Sequence, residues 1–226
     1  MRERTKLADR KLPDYTKGEE IMNMVTHIVG GALGVAALVL CVIFSAKKKD
    51  AGLVVGSAIY GASLIILYTM SSVYHGLKPN MGKKVMQVID HCTIYFLIAG
   101  TYTPIVLGPL RHYSTALGWS MFGVVWGLSI VATVFTAIDW KKYNFVSMAA
   151  YIGIGWCIII FVKPLIEAIT MSGFWWILAG GIAYTIGAVL YGIGVKVRYM
   201  HSVFHIFVIA GSVLQFFGIL FYVIGF

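Results

Sequence analysis

Charge is what this sequence has least of. Asp, Glu, Lys and Arg make up 12% of its 226 residues, about half of the quarter or so usual in a soluble domain. That excludes water as the main solvent of the folded chain. Cysteine is scarce too: Cys41, Cys92 and Cys157 all fall in apolar segments, at spacings that fit neither a disulfide framework nor a cysteine-rich metal site. They are read as small packing residues. The first twenty residues, MRERTKLADRKLPDYTKGEE, have no apolar stretch followed by a small-residue cleavage site, so no cleaved signal peptide is expected.

What is abundant is apolar sequence, 59% of the chain. A bilayer core about 30 Å thick takes about 20 residues of helix per crossing. Apolar segments run over residues 21–46, 51–77, 85–107, 115–138, 145–169, 173–195 and 199–226, with short polar connections between them. The expectation is an all-α integral membrane bundle of seven transmembrane helices over residues 21–226, behind a basic tail, residues 1–20. No room is left for a separate soluble domain.

The net charge of +9 is explained by orientation rather than by nucleic acid. With the amino terminus cytoplasmic, thirteen Lys/Arg lie inside, among them Lys78, Lys83, Lys84, Lys141, Lys142, Lys196 and Arg198. Five lie outside: Lys47, Lys48, Lys49, Arg111 and Lys163. The carboxyl terminus is then extracytoplasmic, and a multi-pass protein of the cell membrane, a bacterial inner membrane, is expected. Gly30 with Gly34, and Gly123 with Gly127, have the four-residue spacing that lets helices approach closely. Pro104 and Pro164 remove backbone donors within or near the ends of their spans.

An ionisable side chain inside such a helix is costly unless it faces the bundle interior with a partner, so each is a candidate site. Ser71 and His75 share one face of the second span, Asp90 and His91 lie on the third about two turns after Lys84, and His201 and His205 stand four apart on the seventh. An i, i+4 histidine pair points two imidazoles at one metal ion. At about 1.5 Å per residue, His75 lies about 5 Å from Lys78 and Asp90 about 9 Å from Lys84, with His201 and His205 about 5 and 10 Å beyond Arg198. All four therefore fall at a similar depth near the cytoplasmic face.

Three neutral imidazoles, His75, His201 and His205, make a chemically complete set for a zinc ion that keeps water in its fourth position. Asp90 is then expected to act as general base toward that water, and Ser71 to orient His75 or hold a substrate carbonyl. Plainer readings stand beside these. The histidines can be interfacial and solvated, Asp90 can answer a helix dipole or pair with Lys83 or Lys84, and Ser71 can bond back to the Leu67 carbonyl. His91 points about 100° away from Asp90 and is read as a helix contact or outer neighbour of the site. Glu20, Asn23 and His27 form one stripe that lines the same cavity or ties helices together.

The residues Glu19-Glu20-x-x-Asn23-x-x-Thr26-His27, Ser71-Ser72-x-Tyr74-His75, Asp90-His91-x-x-Ile94-Tyr95, Ala99-Gly100-Thr101-Tyr102-Thr103-Pro104 and His201-Ser202-x-Phe204-His205 resemble the bacterial hemolysin III family nearly end to end. That family is related to progestin and adiponectin receptors and, more distantly, to alkaline ceramidases. The resemblance implies zinc at His75, His201 and His205, with Asp90 and Ser71 beside it.

Three functions compete. The first is zinc-dependent hydrolysis of a lipid amide or ester. The second is a pore-forming, haemolytic activity, although no long polar stripe lines any span. The third is a non-catalytic membrane-homeostasis protein with structural zinc. A zinc transporter lacks an evident second site across the membrane. Membrane lipids are the expected partners, and the sequence does not give an oligomeric state.

Overall fold

A computed structural model describes residues 5–139, 144–194 and 197–226. The described residues form helices and no strand: α1 (Lys17–Lys47), α2 (Ala51–Gly76), α3 (Met81–Leu107), the short α4 (Pro109–Tyr113), α5 (Thr115–Asp139), α6 (Asn144–Trp156), α7 (Val162–Gly194) and α8 (Met200–Gly218). Lys141, Lys142 and Lys196, which carry part of the expected charge asymmetry, lie outside the described residues, as does Val195 at the end of the sixth expected segment.

Short polar side chains set the helix starts. Thr16 and Glu19 form a reciprocal capping box at α1, Asp50 accepts from Gly52 and Leu53 at α2, and Asn80 accepts from Lys83 at α3. Each satisfies backbone donors that the first helical turn leaves free.

Six helical stretches are long and apolar enough to cross a membrane, by length and composition. The fifth and sixth expected segments both map onto one of them, Val146–Gly192. That stretch is not uniform. A 3-10 turn, Cys157–Phe161, precedes Pro164, whose missing N–H breaks the ladder of backbone bonds there. Further along, Thr170 adopts φ 67 and ψ 164 inside α7, a conformation unfavourable for a β-branched residue. Its hydroxyl accepts from the Gly173 N–H at 3.4 Å, so a new helical turn starts there.

Large apolar side chains face outward, and polar side chains are buried in the interior beside an apolar core. Ile28, Val189, Trp175 and many similar side chains are exposed, while Asn23, Ser45, Ser57, Thr103 and His205 are buried. A lipid solvent requires this distribution. Ser45 and Ser57 join α1 to α2 at 2.7 Å, and Ser212 meets both Tyr68 and Tyr184 at 2.7 Å.

Gly30 and Gly34 do serve close packing: a Cβ on Gly30 would stand 2.6 Å from the Tyr68 ring, and one on Gly34 3.3 Å from the Ile65 nitrogen. For Gly123 and Gly127 the expectation fails, because nothing lies within 4 Å of either added Cβ. The spacing of small residues along α5 carries no information about which way that helix faces.

The two ends of the bundle differ. At one, Arg111 reaches Asp50 at 2.8 Å and Lys48 donates to the Gly225 carbonyl at 2.6 Å. At the other, the segment before α1 lies across the helix ends. There the Thr5 N–H donates to Asp139, Arg10 to the Ile138 carbonyl, Lys84 to the Ala8 carbonyl and Arg198 to the Asp14 carbonyl.

Candidate metal centre

Beneath that segment His75, His201 and His205 converge, all buried, with one ring nitrogen from each within 4.8 Å of the others. His75 comes from the last turn of α2, and the other two from the first turns of α8. The chain enters α8 through Tyr199 in the left-handed region (φ 60), and the Tyr199 N–H donates to Glu19 Oε1 at 2.8 Å. Glu19 also accepts from Arg198 at 3.1 Å. The first turn of α8 is thus tied to the first turn of α1, which fixes where His201 enters the bundle.

A metal-binding imidazole generally donates its other ring N–H to a protein group, which fixes the tautomer. The Nδ1 of His75 lies 2.7 Å from Glu20 Oε2, and the carboxylate can only accept, so His75 carries its proton on Nδ1. Its Nε2 is buried and has no protein partner. The Nδ1 of His205 donates to the Asn23 carbonyl at 3.2 Å, which leaves Nε2 as an acceptor. The Nε2 atoms of His201 and His205 are 3.1 Å apart. Two nitrogens bound to one tetrahedral zinc at about 2.0–2.1 Å stand about 3.3 Å apart. An N–H···N bond between the two histidines would account for their spacing alone. It leaves His75 Nε2 unsatisfied, a cost that an ion at the centre removes. The donor set therefore fits a metal.

The helix-1 stripe is divided in its tasks. Glu20 holds His75. The Asn23 carbonyl holds His205, while its side-chain oxygen accepts from Ser202 at 2.6 Å. His27 stacks flat on His205, with centroids 3.6 Å apart and planes 10° from parallel, and its ring nitrogens have no hydrogen-bond partner in the protein. His91 points elsewhere: its ring lies 2.7 Å from the Gln87 carbonyl and 3.2 Å from the Tyr191 hydroxyl.

Asp90 and Ser71 are not members of the metal-binding group. They line a cavity of about 150 Å³ beside it, together with His27 and His205, and the Ser71 hydroxyl lies against the Asp90 carboxyl. From this polar end the cavity runs among apolar side chains to Gln215, ten residues and about 15 Å farther along α8. Smaller cavities adjoin it. One shares Asp90 and reaches His201, and another shares Gln215 and continues to Leu165.

Tyr15, just before α1, is a neighbour that no sequence pattern singled out. Its ring stacks on His201 at 5.2 Å and lies 5.9 Å from His75, and burial pushes its phenol well above the usual range. Lys83, read from sequence as an inside charge and a candidate partner for Asp90, donates to Glu20 Oε1 at 2.6 Å. Helical spacing relates residues on one helix and says nothing of pairs on different ones, which is why both escaped.

Fold and site together define a multi-pass membrane protein with a buried three-histidine group able to hold a metal ion. The haemolysin-III-related family profile matches residues 15–216, and the chain belongs to that family. It is 39% identical to Hemolysin-3 of Bacillus cereus over 206 residues, covering 91% of this chain and 92% of that protein. It is likewise 39% identical to a Hemolysin-3 homolog of Bacillus subtilis (strain 168) over 208 residues, 92% of this chain and 96% of the relative. A more distant similarity, 25% over 226 residues, covers 88% of this chain and 50% of the adiponectin receptor protein of Drosophila melanogaster. No solved structure gives a significant match.

Proposed function

We propose that this protein is a zinc-dependent hydrolase of a lipid amide or ester, built as seven transmembrane helices with a cytoplasmic amino terminus. The observation that carries the reading is the junction of two features: a three-histidine group with an unpartnered His75 Nε2, and an apolar cavity whose polar end holds Asp90, Ser71 and His205. An acyl chain suits the apolar length, and an amide or ester carbonyl suits the polar end.

The seventh span follows from length. The 47 residues of Val146–Gly192 would extend about 70 Å as one straight helix, more than twice the hydrocarbon thickness. The interruption at Thr170 supports reading it as two crossings. The carboxyl terminus then lies on the side opposite the amino terminus, and the basic residues Lys83, Lys84 and Arg198 lie with the metal centre on the cytoplasmic side.

His75, His201 and His205 hold the zinc. When bound, it supplies a Lewis acid and lowers the pKa of water toward about 7. Asp90 accepts the proton of the attacking water as that water adds to the carbonyl carbon, and then returns it to the departing amine or alcohol as the C–N or C–O bond breaks. Ser71 orients the Asp90 carboxyl. The apolar cavity wall excludes bulk water and holds the acyl chain in register.

Elemental analysis of the purified protein, beside a variant with His75, His201 and His205 all replaced by Ala, tests the metal. Incubation with N-acyl amines and lipid esters should release fatty acid, and Asp90→Ala should abolish that release. Release that persists in the triple variant rules the mechanism out. A second reading, structural zinc, draws on the fact that the three histidines join α2 to α8. Unfolding on metal removal, with no lipid turned over, would favour it.

A further inference from the structure

We propose that Lys83 sets the affinity of the three-histidine centre for its metal, as a positioning residue that acts through Glu20. The inference rests on the metal reading above and concerns the way His75 is aimed.

Lys83 lies in the first turn of α3 and is buried, although a lysine at a helix start near a membrane surface would ordinarily reach into water. Its ammonium donates to Glu20 Oε1 at 2.6 Å and to the Leu77 carbonyl at 2.9 Å, and it lies 3.4 Å from the His75 carbonyl. The Tyr74 ring closes one side, with its centroid 5.2 Å from Nζ. All three donor directions of the ammonium are therefore used inside the protein.

The two oxygens of Glu20 have separate partners, Lys83 at Oε1 and His75 Nδ1 at Oε2. A carboxylate gripped at one oxygen by an anchored cation cannot turn without losing a charge-assisted bond. Its other oxygen is thereby held where His75 Nδ1–H must meet it, and the opposite ring nitrogen, Nε2, is directed at the centre shared with His201 and His205. Three helices meet at this one ammonium: α1 through Glu20, α2 through its last carbonyls, and α3 through the backbone of Lys83. Without Lys83, Glu20 keeps a single partner and half of its side chain's restraint, so His75 rotates more freely and the bound state loses its pre-set geometry.

Lys83 also covers carbonyls at the end of α2, which is a structural role in its own right. A double-substitution cycle separates the two. Zinc dissociation constants are measured by competition with a chromogenic chelator on the full chain in detergent micelles, for wild type, Lys83→Met, Glu20→Gln and the double variant, with thermal unfolding of each metal-free protein alongside.

Lys83→Met is expected to weaken zinc binding about 10- to 100-fold, and in the Glu20→Gln background to weaken it by less than about threefold more. Lys83→Arg, which keeps the cation, should recover part of the loss. Equal effects of Lys83→Met in both backgrounds, or a lower unfolding temperature with unchanged zinc affinity, overturn the inference while leaving the metal centre standing. Wild-type protein that binds no zinc overturns the metal reading and this inference together.

Discussion

Glu20 and His75 stand 2.7 Å apart across the α1–α2 interface, carboxylate oxygen to Nδ1, while Nε2 of the same ring is buried with nothing to bond. One contact fixes the tautomer and leaves a lone pair pointing inward. The first prediction follows. Glu20→Gln keeps the size of the side chain and loses its charge, so zinc affinity should fall about 10- to 100-fold, with the metal-free fold retained by circular dichroism.

Removal of a ligand is more severe than removal of its partner. His205→Ala deletes one of three nitrogens and also uncovers the face of His27, stacked on it at 3.6 Å. Its zinc content by elemental analysis should fall from about one per chain to near zero. His91→Ala, whose ring is turned to Gln87 and Tyr191, should leave zinc content unchanged.

The apolar cavity can be blocked without touching the metal centre. Gly181 borders both the main cavity and its continuation past Gln215, with nothing within 4 Å of an added Cβ. Gly181→Phe should cut hydrolysis of a long-chain lipid amide at least about tenfold, since misplacing a substrate by 1 Å costs rate steeply. Zinc content should stay at the wild-type value. Loss of both together would mean that the cavity and the metal are not separable.

Helix contacts give a prediction independent of function. A Cβ on Gly61 would lie 2.5 Å from the Leu38 Cα, a backbone atom that cannot move aside alone. Gly61→Ala should destabilise the bundle by about 1–3 kcal/mol, read from unfolding in detergent. Gly123→Ala meets nothing within 4 Å and should be neutral or stabilise by up to about 1 kcal/mol through helix propensity.

Much of the architecture was legible because a bilayer imposes a one-dimensional rule: enough consecutive apolar residues make a spanning helix. The rule is weakest where two apolar segments meet with little polar sequence between them, as at residues 170–172 between the fifth and sixth expected segments, where the helix is interrupted at Thr170. Family membership was legible for a related reason, since the motifs around His75, Asp90 and His201 are contiguous in sequence. The pairing of glycines was only half legible. Gly30 with Gly34 and Gly123 with Gly127 have the same spacing, yet only the first pair faces another helix.

By itself the sequence determined that the chain folds as membrane helices, and that His201 and His205 share one helical face, because length, hydropathy and the 3.6-residue repeat act within a single segment. It could group Glu20, Asn23 and His27 on one stripe but not assign their partners. Only the tertiary structure decided that Glu20 holds His75, that Asn23 holds His205, that Lys83 grips Glu20, and that Tyr15 covers His201. Such contacts depend on how far each helix is rotated and slid against its neighbours. That choice is made by close packing across interfaces, and no periodicity along one helix records it.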